Sequence, residues 1–513
     1  MAKAFKISTN TRILGVFVAL KFILQYSLIH PVYDLQRDEY LYLDQANHLA
    51  WGYMSVPPLT SWVALFIKFL GNSVFVVKFF PALFGVLTLI VVWKTIKHLG
   101  GGRYALILGG TCVLLSSLLR LNTLFQPNSF DVLSWTTLYY CFIRYLDAYK
   151  PKWIYHAAIV FALGFLNKYN IVFLVLGMIP AILLTRHRII LKERSVYLAI
   201  LLALLLILPN LIWQFNYDLP VYKHMLELRE RQLVHVARKD FLMSQLLFFT
   251  GALPVLVSAF YALIFYKPYR KYLCFLWAFI FTIVVFLYFR AKDYYAIGLY
   301  PVYIAYGTVF LSNSIGKQAG KLLKPALLLF PVAFFALMSR VAFPNHDPEY
   351  IIAHQDKYER IGMLRWEDGK NHEIPQDFAD MLGWKELAIK VDSASKSFNN
   401  KKPTLILCDN YGQAGAINYY SELNLQAVSF NADYIYWFDL QPEYANLIRV
   451  KYASEVLEEF EKTSPYFEKA NIFDSVTHPY ARERGTTIFT FQNASISIND
   501  RIKSEIAEEL GTE

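Results

Sequence analysis

Apolar residues run in long blocks through the first two thirds of the chain, and charged residues collect between the blocks. A helix needs roughly 20 mostly apolar residues to cross a bilayer. By that measure the blocks predict about eleven spans, near 11–30, 74–97, 104–122, 131–146, 153–167, 170–185, 195–213, 241–265, 272–289, 294–314 and 324–340. The stretch 58–70 is apolar but broken by Lys68 and followed by Gly71, which suits half a span or a helix lying in the interface. Beyond Arg340 the blocks stop. Short apolar strings at 404–408, 434–438 and 486–491 predict strands there, and 378–396 and 414–420 predict helices. The predicted architecture is a mainly α polytopic membrane domain over residues 1–340 and a small α/β domain over 341–513.

Cations sort the loops into two sets. Lys3, Lys6 and Arg12 precede the first block. Every second loop after it is basic: Lys94, Lys97 and Arg103; Arg144, Lys150 and Lys152; Arg186, Arg188, Lys192 and Arg194; Lys267, Arg270 and Lys271; Lys317, Lys321 and Lys324. Cytoplasmic loops are enriched in Lys and Arg, so these are cytoplasmic, and an odd number of spans puts the α/β domain outside. The placement also settles the meaning of the net charge of +10. Its cations lie in short inter-span loops and form no basic stripe on a soluble face, which argues against a nucleic-acid partner. A composition of 56% hydrophobic and 18% charged residues agrees with a membrane protein. Cys112, Cys141 and Cys274 fall inside apolar blocks, and with Cys408 they form no C-x-x-C pair, so neither a disulfide framework nor a zinc site is implied. An acidic segment, not a small-residue cleavage site, follows the first block, which therefore reads as an uncleaved span.

The alternate loops hold the unusual polar residues. They contain Arg37-Asp38-Glu39-Tyr40, the segment from Phe125 to Asp131, Asn167-Lys168-Tyr169-Asn170, the segment from Trp213 to Asp240, and the segment from Arg290 to Tyr295. Orientation follows from the basic loops alone, so this coincidence argues for an active outer face. Two adjacent carboxylates at the exit of a span are costly unless something uses them. Neighbours on a helix point about 100° apart, so Asp38 and Glu39 do not face one reacting atom. One could act as general base for a hydroxyl or amine attacking an anomeric carbon, the other pairing with Arg37 or a nearby cation; the alternative is a solvated acidic loop.

Lys168, Arg290 and Lys292, with Tyr169, Tyr294 and Tyr295, form the complementary set. They could converge on an anionic headgroup, and a lipid-linked phosphate fits because its tail can lie between spans. A departing phosphate needs its charge stabilised more than it needs a general acid. Interfacial snorkelling and an aromatic belt are the competing explanation. Asp131 could bind an acceptor, hold Arg120 or cap a helix, and Lys21 reads as snorkelling or structural. Tyr411-Gly412-Gln413-Ala414-Gly415-Ala416 is a glycine pair after a strand, too poor for a dinucleotide fingerprint. Asp38 and Glu39 could take a divalent cation, but no third ligand is evident; no cofactor is otherwise predicted.

Arg37-Asp38-Glu39-Tyr40, His48-Leu49-Ala50-Trp51-Gly52-Tyr53 and Pro57-Pro58-Leu59 resemble the first external loop of GT-C membrane glycosyltransferases. The closer branch is the bacterial group similar to dolichyl-phosphate-mannose–protein mannosyltransferases and the lipid A aminoarabinose transferase. Arg120-Leu121-Asn122, Pro127 to Asp131, Asn167-Lys168-Tyr169 and Lys292 to Tyr295 resemble its later motifs in the same order, and Asp377 to Trp384 and Asn410 to Ala416 resemble its outer domain. The resemblance implies an inverting transferase using a polyprenyl-phosphate sugar. It implies Asp38 as base with Glu39 the neighbouring acid; His48 and Arg120 are further candidates for contacts to the substrate. Many relatives carry Pro-Asp in the second loop where this chain has Pro127-Asn128, so Asp131 either replaces that acid one turn later or the second acid is dispensable.

The expected function is transfer of one sugar from a polyprenyl phosphate to a protein, lipid or glycan acceptor. The expected place is the outer face of a membrane, the bacterial inner membrane on the strength of the resemblance. The rivals are a lipid-linked glycan flippase, which predicts ionisable residues deep in several spans, and a non-catalytic glycan-binding scaffold.

Overall fold

The computed structural model describes residues 8–231, 233, 236–398 and 402–511. Lys3 and Lys6 lie outside the described residues, as do positions 232, 234 and 235 of the segment from Trp213 to Asp240. The chain forms two compact units. One comprises Met1–Leu28, Ala50–Thr60 and Phe75–Phe343, the other Ile29–Leu49, Ser61–Val74 and Pro344–Glu513.

The first unit is a bundle of apolar helices, as an integral membrane protein requires. Among the described residues, Val74–His98, Arg194–Asn216, Lys267–Phe289, Asp293–Ser314 and Lys317–Ala342 are each long and apolar enough to cross a bilayer. Two bent pairs bring the number to 7 if each is one span. Three predicted blocks are interrupted. The block 104–122 divides into Arg103–Leu114 and Ser117–Leu121, where the Ser116 hydroxyl accepts from the Leu118 N–H and starts a new helix. The block 241–265 bends by 58° between Arg238–Leu247 and Thr250–Phe265; Pro254, in the first turn of Leu253–Phe265, suits a fresh helix start. The block 170–185 turns by 108° after Leu183 into the 3-10 helix Arg186–Lys192. The broken stretch after Pro58 is an 11-residue helix, Leu59–Phe69, which is shorter than a crossing.

Several charged side chains inside this unit are tied to partners. Lys21 is buried and donates to Gln25 Oε1 at 2.8 Å and Asn122 Oδ1 at 2.9 Å, so it joins two helical segments instead of snorkelling. At the basic end of the bundle, Asp147 gathers His98 Nε2 at 2.7 Å, Lys271 Nζ at 2.6 Å and the Tyr272 hydroxyl. Helices Leu253–Phe265 and Tyr300–Ser314 approach so closely that a Cβ on Gly307 would collide with the Val255 carbonyl. Gly307→Ala is therefore expected to cost about 1–3 kcal/mol, read as a lower Tm in detergent. Gly15→Ala, whose added carbon meets nothing within 4 Å, should leave Tm unchanged or raise it.

The second unit is built on a mixed five-stranded sheet: β1 Thr404–Cys408, β2 Ala427–Ser429, β3 Asn446–Lys451, β4 Phe467–Ser475 and β5 Thr487–Ala494. Its order is β2-β1-β3-β5-β4. β2 and β3 flank β1 in parallel, and β5 pairs antiparallel with β3 and β4. Alternation sorts the faces. Leu405, Leu407, Leu447, Phe489 and Phe491 form one core with Ile498 and Ile502 of helix Ile498–Leu510. The opposite parity brings Ile406, Ile448, Val450 and Ile488 to the other face. Helix Trp384–Lys396 packs against the sheet with Leu387, Ala388 and Val391 buried.

Two elements differ from expectation. The string 434–438 is not a strand: its first three residues belong to the 3-10 helix Ala432–Tyr436, and its aromatic residues act as anchors, the buried Tyr434 donating to Asp44 Oδ2 at 2.8 Å. The expected helix 378–396 is divided at Gly383, whose φ of 84° no right-handed helix contains, into Gln376–Ala379 and Trp384–Lys396.

Candidate active site

Asp38 belongs to the second unit. It sits in helix Arg37–Asp44, whose start is fixed by a reciprocal capping box. The Gln36 side chain accepts from the Asp38 N–H at 3.0 Å, and Glu39 Oε2 accepts from the Gln36 N–H at 2.7 Å. Glu39 is 0% exposed, so of the two acids it is Asp38 that keeps partial access to solvent. The division of labour follows from their angular offset: one carboxylate turns back to the helix terminus and its neighbour turns away.

Helix Tyr411–Tyr420 packs on Arg37–Asp44, and here the glycine pair finds its use. A Cβ on Gly412 would lie 2.6 Å from Arg37 Cγ, and one on Gly415 would lie 2.8 Å from Tyr40 Cβ. Only glycine permits that approach. It delivers the Tyr411 hydroxyl to Asp38 Oδ1, donating at 2.6 Å, while the Arg37 guanidinium lies 4.5 Å above the Tyr411 ring. The Arg37 N–H in turn donates to the Asp380 carbonyl at 3.1 Å. Tyr411 is the residue that sequence reasoning missed. Were Asp38 to act as a base, Tyr411→Phe should fold normally and lower turnover by roughly tenfold, the worth of one hydrogen bond to a charged group. A radiolabel transfer assay at saturating donor reads that loss. His48 is stacked on Trp437 with ring centroids 4.2 Å apart, also within this unit.

The first unit holds the cations. Lys168 follows helix Pro151–Asn167 directly, and Nζ donates to Asn128 Oδ1 at 2.7 Å. It lies 4.2 Å from the centre of the Tyr295 ring and 5.2 Å from that of Tyr294. The motif around it is wired into the same place. Asn167 donates to the Pro127 carbonyl at 2.8 Å, and Asn170 donates to Asp131 Oδ2 at 2.8 Å and to the Tyr295 carbonyl at 2.9 Å. Asp131 is buried in the first turn of helix Asn128–Ala148 and also accepts from Trp135 Nε1 at 2.9 Å. It is a scaffold point as much as a charge. Although part of the Lys168 side chain reaches solvent, its ammonium is crowded by these rings and helices. Desolvation pulls its pKa down to about 8, Asp131 opposing and Lys292 adding to the fall.

The remaining expected residues divide. Tyr294 and Tyr295 stand edge to face, 4.9 Å apart, on the 3-10 helix Asp293–Leu299, and Lys292 immediately precedes that turn. Tyr169 faces the other way: it donates to Asn210 Oδ1 at 3.0 Å, and Asn210 donates to the Trp51 carbonyl at 2.7 Å. Arg290 is exposed in a left-handed conformation at the end of helix Leu273–Phe289. Arg120 donates to Thr123 Oγ1 at 2.6 Å. Among the described residues, no three His, Cys, Asp or Glu side chains gather as a metal-ligand set.

This arrangement can be set beside known proteins. A profile of the dolichyl-phosphate-mannose-protein mannosyltransferase family matches residues 55–213. Over 197 residues the chain is 27% identical to the lipid A galacturonosyltransferase RgtD of Rhizobium johnstonii, which is 37% of this chain and 41% of that protein. The alignment thus spans less than half of the relative's length. The fold agrees over a far longer stretch. ArnT from Cupriavidus metallidurans, solved bound to undecaprenyl phosphate, superposes with a TM-score of 0.62 at 12% identity, covering 95% of this chain and 99% of that one. Apo ArnT gives 0.63 at 15% identity, covering 94% and 98%. The chain has the GT-C fold of ArnT, and in sequence it resembles the membrane glycosyltransferases of the protein-mannosyltransferase and lipid A-modifying kind.

Proposed function

We propose that this protein is an inverting glycosyltransferase that moves one sugar from a polyprenyl phosphate to an acceptor at the outer face of a bacterial inner membrane. The acceptor we favour is a lipid, since RgtD, named above, is a lipid A galacturonosyltransferase; a protein or a glycan is the alternative. The observation that carries the reading is the Lys168 ammonium, set over two tyrosine rings and held by Asn128. Such a cation suits a phosphodiester whose tail lies among apolar helices, and it opposes the charge that develops as the sugar departs.

In this reading Asp38 takes the proton of the acceptor hydroxyl, whose oxygen forms the new bond to the anomeric carbon. The bond from that carbon to the phosphate oxygen breaks, the electron pair leaves with polyprenyl phosphate, and the anomeric configuration inverts. Lys168, Lys292 and Tyr295 serve the phosphate, while Tyr411 orients Asp38. Asp131 holds the Lys168 motif through Asn170. Residues 1–340 would form the catalytic membrane domain and 341–513 a periplasmic domain. The alternation of basic and polar loops supports that orientation.

The test is transfer from labelled polyprenyl-phosphate sugars to envelope lipids by the full chain in nanodiscs. Label in the acceptor with release of polyprenyl phosphate is expected. A donor that crosses the bilayer with its sugar still attached would instead identify a transporter.

A further inference from the structure

The second unit contains a cleft of about 610 Å³ away from the Tyr411–Asp38 pair, within the roughly 300–1,000 Å³ range of small-molecule sites. We propose that it is a binding subsite for an uncharged sugar ring, and, resting on the function proposed above, that the ring belongs to the acceptor.

The lining of the cleft includes an aromatic pair, Trp366 and His372, locked in place. Residues 364–372 double back on themselves: the Trp366 N–H donates to the Lys370 carbonyl and the His372 N–H to the Leu364 carbonyl, at 3.0 and 2.9 Å. The Trp366 indole donates from Nε1 to the Ile374 carbonyl at 2.9 Å and stacks on His372, with centroids 3.7 Å apart and planes 13° from parallel. His372 Nε2 is paired with Asp368 at 2.9 Å. A ring fixed from one side and at its edge binds without paying for its own ordering. Its negative π-face attracts the weakly positive C–H face of a pyranose and has no preference for phosphate.

The polar rim matches hydroxyl groups. Gln355 and Asn371 supply amides, and Glu359 and Glu373 supply carboxylates. Asn371 Nδ2 already bonds Glu359 Oε1 at 3.1 Å, so the amide and the acid present themselves as a pair. Charge decides against an anionic ligand. Arg482, which also lines the cleft, is bound to Asp380, with Nη1 at 3.2 Å from Oδ1 and 3.3 Å from Oδ2. Its charge is offset, whereas two carboxylates remain on the rim.

The same pair gives the cleft its connection to the chemistry. The Asp380 carbonyl accepts the N–H of Arg37, the residue before Asp38. One salt-bridged carboxylate thus separates the cleft wall from the helix that carries the proposed base. A sugar held there would fix which neighbouring hydroxyl of the same acceptor meets Asp38.

The test uses the full chain in nanodiscs with methyl glycosides of neutral hexoses and with methyl galacturonide, followed by saturation-transfer NMR. Neutral glycosides should bind with a roughly millimolar Kd. Trp366→Ala should weaken them about tenfold, Trp366→Phe less, and the uronide should bind more weakly than the neutral sugars. Asn371→Ala, at an exposed position, guards against a folding artefact and should weaken binding too. In the transfer assay Trp366→Ala should raise the acceptor KM and leave kcat and donor binding alone. Trp366-dependent binding without any transfer supports the cleft and sinks the enzymatic reading. Transfer with no Trp366-dependent glycoside binding overturns the cleft and leaves the enzyme standing.

Discussion

Asp38→Asn should lower sugar transfer by roughly 10²–10⁴-fold, the usual contribution of a positioned general base. The substitution is nearly isosteric. The amide oxygen of the variant side chain would still accept the Tyr411 hydroxyl, and the capping box of Gln36 and Glu39 does not involve the Asp38 side chain. Fold and donor affinity should therefore be unchanged, so the loss falls on kcat. Asp38→Glu keeps the base and displaces it, and should retain a small activity. Full transfer by Asp38→Asn would remove this residue from the mechanism, and Asp131 would be tested next.

Lys168→Met should cost roughly 10²–10³-fold, by analogy with removing one preorganised group that stabilises a developing charge. Unlike Asp38→Asn, it should also weaken donor binding. Lys168→Arg keeps the charge but cannot reproduce the single bond to Asn128, and should fall between. A pH series sharpens the assignment. With its pKa at about 8, the empty-site ammonium is charged below that pH and loses its proton above it. The donor is a phosphodiester, anionic throughout, so wild-type affinity should decline as pH rises through about 8, whereas Lys168→Arg should stay flat. The charged neighbours in that unit, Asp131 and Lys292, accompany both proteins and cancel in the comparison. A wild-type affinity independent of pH would argue against Lys168 as the phosphate ligand.

The Lys168 cluster is legible in the sequence because it is assembled from short contiguous motifs, and Asn167 to Asn170 and Asp293 to Tyr295 each announce themselves by polarity at the edge of an apolar block. Tyr411 is not, because its partner lies 373 residues away and the glycines beside it have the look of a weak nucleotide motif. Their purpose emerges only with a second helix against them. Hydrophobicity alone marks the spans and misses the breaks, which depend on local signals such as Ser116 and Pro254 that barely alter the apolar content of a block. β3 is hidden for the opposite reason. It carries Arg449 and Lys451, whose charges are absorbed by Asp409 and Glu459 from elsewhere in the unit. Polar satisfaction that comes from distant residues leaves no trace in a local window.

The unit that bears Asp38 draws on chain segments from both ends of the sequence, Ile29–Leu49 and Ser61–Val74 from one and Pro344–Glu513 from the other. Synthesis proceeds from the N-terminus, so the helix Arg37–Asp44 emerges long before Tyr411, Gly412 and Gly415 exist to receive it. Until then Tyr40, whose Cβ lies against Gly415, lacks that partner. The newborn protein can therefore complete its apolar bundle while its proposed base is still unoriented, and premature termination before Tyr411 would leave an inserted chain that is silent in transfer.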